Sequence, residues 1–183
     1  MADPSIAELD RASAPEFVRA VSPLFEGAPR FLARLADARP FGSFDRLFDR
    51  AREIALEMPD DEQIELVNAH PPLGAPPSSV SAESFVEQGY DREVAGAPAE
   101  AIATADSERG RLAQELVELN AAYEATFGFR YCVFVAGRSR SELIPGFRAA
   151  LDRSRGDELA RALADVMAIA EARLNRSRTG ATA

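Results

Sequence analysis

Between Ser43 and Pro59 the apolar residues Phe44, Leu47, Phe48, Ala51, Ile54, Ala55 and Met58 recur with the period of a helix. This spacing predicts an amphipathic helix with Ser43 as N-cap and Pro59 as its stop. Similar punctuation runs along the chain. Ser5 with Glu8 forms a capping box for a short first helix. Pro15 opens a second, faced by Phe17, Val18 and Val21. The stretch from Pro23 to Pro29 is a turn, and Phe31, Leu32 and Leu35 mark a third helix stopped before Pro40. Asp60 or Asp61 caps a short helix that carries Ile64 and Val67 toward His70. Leu112, Leu116, Leu119 and Tyr123 line a long helix ending near Phe127, with Gly128 as its C-terminal stop. Ser139 or Ser141 caps a helix containing Leu143, Ile144 and Phe147, with Pro145 in its first turn or at a kink. After Gly156 comes a final helix with the stripe Leu159, Leu163, Val166 and Ala170, flanked by Ile169 and Leu174.

Three stretches depart from the helical period. Residues 71–80 hold four prolines and Gly74, an irregular but stiff loop. Residues 91–100 read as a linker or a weak helix start. Phe129-Arg130-Tyr131-Cys132-Val133-Phe134-Val135 is β-prone and almost wholly apolar, yet finds no second strand to pair with. It predicts a buried extended segment whose backbone groups need partners, a ligand among them. The expectation is an all-α, single-domain multi-helix bundle over residues 1–183, with one buried extended segment. Residues 1–4 and 176–183 are expected to fray.

Composition narrows the function. Hydrophobic residues make up 46% and charged residues 28% of the 183, enough for one sizeable core. A net charge of −9 without a basic block argues against a nucleic-acid surface. An anionic ligand therefore needs a local cation. No run of apolar residues is long enough to span a membrane, and no signal peptide is evident. Cys132 is the single cysteine, which excludes an intramolecular disulfide and fits a reducing, cytoplasmic setting. One histidine and no CxxC argue against a zinc or iron site of the usual kind, so no metal and no cofactor are expected.

The candidate chemistry is sparse and localised. His70, the only histidine, stands where a helix runs into the proline-rich loop. It is the natural acid or base for neutral pH, although a histidine at a helix C-terminus also serves simply to stabilise the last carbonyls. Ser84-x-x-Glu87-Gln88 clusters a hydroxyl, a carboxylate and an amide, with Ser84 and Glu87 on one face. Such a cluster is either a pocket wall or a solvated helix face. Arg173 falls on the apolar stripe of the last helix, so its charge points inward and requires an anion, from the protein or from a substrate. Alternatively it snorkels at the helix end. Cys132, within an apolar run, is expected to be inert. On the residues alone this is a cofactor-free acid/base enzyme or a small-molecule binder.

Taken in order, four segments carry a resemblance. They are His70-Pro71-x-Leu73-Gly74, Ser84-x-x-Glu87-Gln88, Tyr123-x-x-x-Phe127-Gly128-Phe129-x-Tyr131 and Ile169-Ala170-x-x-Arg173-Leu174. Together with Phe25-Glu26-x-x-Pro29 they resemble the 2-oxo-4-hydroxy-4-carboxy-5-ureidoimidazoline (OHCU) decarboxylase family of uric acid breakdown. The resemblance runs over roughly residues 14 to 175. It implies an all-α fold, a homodimer, and cofactor-independent decarboxylation of OHCU, an anionic ureide, to S-allantoin. It implies His70 as the catalytic acid/base and Glu87 as the carboxylate that holds or polarises histidine and substrate. Pro71, Ser84 and Gln88 would line the pocket. Backbone groups from Phe129 through Tyr131 to Val133 would bind ring and ureido oxygens, and Arg173 a polar or anionic part of the substrate. Pro72, Ala75, Arg30 and Arg130 depart from the family's usual pattern. Two alternatives accommodate such departures: action on another small ureide, or a non-catalytic helical binding module.

Overall fold

Capping chemistry sets where the helices of this chain begin. The computed structural model describes residues 4–88 and 99–180, and among these it contains nine α-helices and no strand. They are α1 (Ile6–Arg11), α2 (Ala14–Val21), α3 (Pro29–Asp37), α4 (Phe44–Glu57), α5 (Asp60–Ala69), α6 (Ala82–Glu87), α7 (Ala99–Phe127), α8 (Arg140–Ala150) and α9 (Arg155–Gly180). The capping boxes Ser5/Glu8 and Ser139/Glu142 start α1 and α8, and Ser43 Oγ accepts the Arg46 N–H to start α4. Glu8 and Glu142 sit below the usual carboxylate range, chiefly because the cap serine hydroxyl donates to each.

The chain divides into two compact units: Met1–His70 with Leu159–Ala183, and Pro71–Glu158. In the first unit the predicted stripes are buried, with Phe17, Phe31, Leu32, Leu35, Leu47 and Ala51 essentially inaccessible. The α9 stripe Leu159, Leu163, Val166 and Ala170 is buried as well. Across the surface, α3 is laced to α5. Arg30 pairs with Asp61 and with Glu65 at 2.6 Å, and Arg34 pairs with Glu62 at 2.6 Å. Each such pair at the surface stabilises little alone, and together they tie α3 to α5, whose last turn leads to His70.

The second unit is built on stacked rings. Tyr123 packs against Phe127, Phe129, Tyr131 and Phe147, and Tyr131 lies flat on Phe147 with centroids 3.7 Å apart. The Tyr123 hydroxyl donates to the fully buried carboxylate of Glu158 at 2.8 Å, which Arg153 also reaches at 3.2 Å. The segment from Phe129 to Val135 is irregular, and Phe129, Tyr131, Cys132 and Val135 are buried as its apolar run predicts.

Several boundaries differ from expectation for local reasons. Pro59 occupies the N-cap of α5, so Asp60 and Asp61 lie inside its first turn, where acidic side chains complement the helix dipole. In that helix Leu66 joins Val67 in the core, while Ile64 is only half-buried. Gly156 lies within α9, which is capped by Ser154 Oγ accepting the Asp157 N–H at 3.1 Å. The helix carries through residues 176–180, which the sequence pattern left to a frayed tail. Pro145 falls inside α8, past its first turn. Of the expected linker, residues 91–98 lie outside the described residues, and Ala99 and Glu100 open α7.

Candidate functional site

Helix α5 ends because Pro71 disfavours helical backbone in the residue before it. His70 accordingly turns to φ −78° and ψ 139°, and its N–H closes on the Val67 carbonyl at 3.2 Å. The turn buries the imidazole, which keeps 3% of its surface. Its Nδ1 stands 3.3 Å from the Leu66 carbonyl oxygen. A carbonyl can only accept, so Nδ1 carries a hydrogen in both the neutral and the charged ring. Nε2 is then the nitrogen that gains and loses a proton. The alternative role, a histidine that stabilises helix carbonyls, is present in the geometry through Nδ1.

Helix α6 reverses the usual arrangement. Ser84, 3% exposed, and Gln88 at its C-cap, 9% exposed, are buried, whereas Val86 is 45% exposed. Glu87 is half-buried beside them. Ser84 and Gln88 are therefore not part of a solvated helix face. The amide of Gln88 is engaged with the proline-rich loop: Oε1 accepts the Gly74 N–H at 2.8 Å and Nε2 donates to the Pro72 carbonyl at 3.3 Å. Pro71 is half-buried at the head of that loop.

Phe129 and Tyr131 commit their side chains to the aromatic cluster around Tyr123. Val133 in the same segment is half-buried. The carbonyls of Phe134 and Val135 accept from the Arg138 guanidinium, which fixes the end of the segment.

Arg173 points inward, as its place on the stripe predicts, and is 4% exposed. Of the two anions left open by the sequence, the structure supplies a carboxylate of the chain. Nη2 donates to Glu26 at 2.7 Å and Nη1 to the Pro23 carbonyl at 2.8 Å, joining residues 147 and 150 positions apart. Glu26 holds φ +51°, a left-handed conformation rare for a non-glycine residue. Such strain is retained where surrounding structure demands it.

His70 and Arg173 thus belong to the first unit, and Pro71, Ser84, Glu87, Gln88, Phe129, Tyr131 and Val133 to the second. Among the described residues five polar or charged side chains are buried: His70, Ser84, Gln88, Glu158 and Arg173. Four of the five are residues that the sequence pattern singles out. Two participants were missed. Glu26 stood in the Phe25-Glu26-x-x-Pro29 segment, but nothing in the sequence named it as the partner of Arg173. Asn120, whose Nδ2 donates to the Leu73 carbonyl at 3.0 Å, looks in sequence like any polar residue of a long helix. Among the described residues no group of three or more His, Cys, Asp or Glu side chains is placed to hold a metal ion, and no helix is long and apolar enough to cross a membrane.

Known proteins resemble this chain over most of its length. The family model described as OHCU decarboxylase matches residues 10–175. The 2-oxo-4-hydroxy-4-carboxy-5-ureidoimidazoline decarboxylase of Halalkalicoccus jeotgali is 30% identical over 173 residues, covering 93% of this chain and 89% of that protein. The protein of the same name from Haloferax volcanii is 25% identical, covering 93% and 94%. A uric acid degradation bifunctional protein of Bacillus sp. (strain TB-90) is 28% identical over 92% of this chain, which spans 31% of that longer protein. In fold, the chain is similar to a crystal structure of OHCU decarboxylase determined in the presence of (S)-allantoin. The TM-score is 0.63 and the identity 22%, over 86% of this chain and 96% of the other. With a family model matching residues 10–175 and a relative 30% identical over nearly the full length of both chains, the chain belongs to the OHCU decarboxylase family.

Proposed function

We propose that His70 delivers the proton in the reaction of this family, the carboxy-lyase step of uric acid degradation that converts OHCU to allantoin. Loss of CO₂ breaks a carbon–carbon bond and leaves its electron pair on the ring carbon, where the adjacent conjugated system delocalises it. A proton from Nε2 of the charged imidazole then completes that carbon. The neutral ring that remains keeps its Nδ1 hydrogen on Leu66. Delivery to one face gives one enantiomer, S-allantoin. Glu87 favours the charged form of the histidine and orients substrate, and Ser84 lines the same wall. Pro71 and Gln88 shape it, backbone of Phe129, Tyr131 and Val133 binds ring and ureido oxygens, and Arg173 contributes to binding the anion. No cofactor is needed, since delocalisation, orientation and one proton suffice. The enzyme is read as a homodimer of the cytoplasm, which light scattering and fractionation test.

The observation that carries this reading is the buried polar set, four of whose five members recur in the ordered motifs. Burying such groups costs stability unless they are satisfied or used. The test is circular dichroism with time on freshly generated OHCU. Wild type should produce the signal of one allantoin enantiomer quickly and His70→Ala should not. No acceleration by well-folded wild type would refute decarboxylation of OHCU and direct the search to other small ureides, for which the altered positions Pro72 and Ala75 give the motive.

A further inference from the structure

The geometry points to Asn120 as a positioning residue that fixes the loop following His70. This rests on the catalytic reading above. Asn120 lies on α7, one turn beyond Leu116. Its Nδ2 donates both to the Leu73 carbonyl at 3.0 Å and to the Leu116 carbonyl of its own helix at 2.8 Å. From α6, Gln88 holds the peptides on either side of Leu73, accepting from Gly74 and donating to Pro72. Three successive residues, Pro72, Leu73 and Gly74, therefore each have a backbone group taken by one of two amide side chains. Glycine is required at the third. Gly74 holds φ +81°, and a Cβ there would stand 2.8 Å from Leu116 Cδ1. Leu116 and Asn120 thus seat the loop by contact and by hydrogen bond, from one helix.

A second observation separates positioning from mere packing. Asn120 Oδ1 is buried and has no hydrogen-bond partner among the described residues. An unsatisfied buried acceptor destabilises the folded chain, and an aliphatic side chain of similar size would avoid that. Stability alone gives no reason for an asparagine here. Its donor, aimed at Leu73, does. The loop so held begins at Pro71, covalently next to His70, and is bonded to Gln88, next to Glu87. Its seat governs the backbone leaving the histidine and the end of α6 that bears the carboxylate.

The test compares Asn120→Leu, Asn120→Asp and Gly74→Ala. Both Asn120 variants lose the donor, and Asn120→Asp keeps the shape. Expected for Asn120→Leu is a melting temperature within about 4 °C of wild type. Amide exchange in peptides spanning Leu73 to Ala75 should be about tenfold faster or more. The kcat on OHCU should fall about 10- to 100-fold. Combining Asn120→Leu with Gly74→Ala should cost little more than the worse single change, because both release the same loop. Unchanged kcat in a folded Asn120→Leu overturns the inference, as does unchanged exchange. Unfolding of both Asn120 variants also overturns it, since it makes the residue structural. If wild type does not act on OHCU, the function proposed above fails; loop exchange then decides the seating by itself, faster exchange upholding it and unchanged exchange overturning it.

Discussion

Replacing Arg173 by methionine keeps the stem of the side chain and removes its charge from a nearly inaccessible position. The side chains of Arg173 and Glu26 retain only 3% and 14% exposure, and the ion pair spans 2.7 Å. Removing one partner of a buried pair leaves the other charge uncompensated, at a cost of about 3–5 kcal/mol. The partial exposure of Glu26 places this case at the lower end, about 3 kcal/mol. For a chain of this size each kcal/mol moves the melting temperature by about 2–4 °C, so a loss of about 6–12 °C is expected. Adding Glu26→Gln removes the stranded charge and should restore roughly half of the loss, leaving the Pro23 carbonyl without its donor. Differential scanning calorimetry of the two single variants and the double one reads this directly. Arg173→Met melting within about 2 °C of wild type would refute the argument. Intact stability with a raised KM for OHCU would assign the guanidinium to substrate rather than to Glu26. Arg173→Lys sharpens the same question. A single ammonium lacks the planar fork that serves Glu26 and Pro23 through separate nitrogens, so both stability and substrate binding should weaken.

Three other outcomes are expected. His70→Asn should lower turnover at least about 100-fold while melting close to wild type; a melting temperature far below wild type would identify the histidine as structural. Gly74→Ala should destabilise by about 2 kcal/mol or more, from the left-handed backbone and the overlap with Leu116, and a neutral effect in thermal melts would contradict the tight approach. Acid titration should expose the α3–α5 lacing. Hydrogen bonds from Arg30 and Arg34 hold Asp61 and Glu62 below their usual values. Their folded-state pKa values lie below the unfolded ones, so their contribution is complete above the ordinary carboxylate range and is lost as pH falls through the folded values. Melting temperature should therefore drop more steeply with acid in wild type than in Arg30→Gln/Arg34→Gln; identical acid slopes would remove the lacing as a source of stability.

What was legible in the sequence was whatever is decided within a few residues. Ser43, the Ser5/Glu8 capping box and the apolar period from Phe44 to Met58 are local signals, and α1 and α4 begin and face as those signals direct. Arg173 was legible as inward because the period of α9 puts it there. Its partner was not, since Glu26 lies 147 positions away and only the packed chain brings them together. The pairing at Gln88 shows the same limit. Its place in a polar cluster was visible, but that its amide closes on Pro72 and Gly74 depends on the path of an irregular loop. Ile64 misled because α5 has a weakly segregated apolar face, and neighbours decide whether position 64 or 66 enters the core. Asn120 gave no signal at all: on a 29-residue helix one more polar side chain is the expected background.

The ring cluster of the second unit has a spectroscopic consequence. The chain has no tryptophan and three tyrosines, Tyr90, Tyr123 and Tyr131, all in the Pro71–Glu158 stretch. Near-ultraviolet dichroism and intrinsic fluorescence consequently originate almost wholly from that half of the molecule, with Tyr131 on Phe147 as a chiral, rigid chromophore pair. The phenylalanines of the first half contribute only weakly. Backbone dichroism, by contrast, sees every helix. A melt followed at both wavelengths thus carries an internal label without any dye or substitution: superimposable traces mean that the tyrosine-bearing half and the rest unfold together, and separated traces give the order in which they let go.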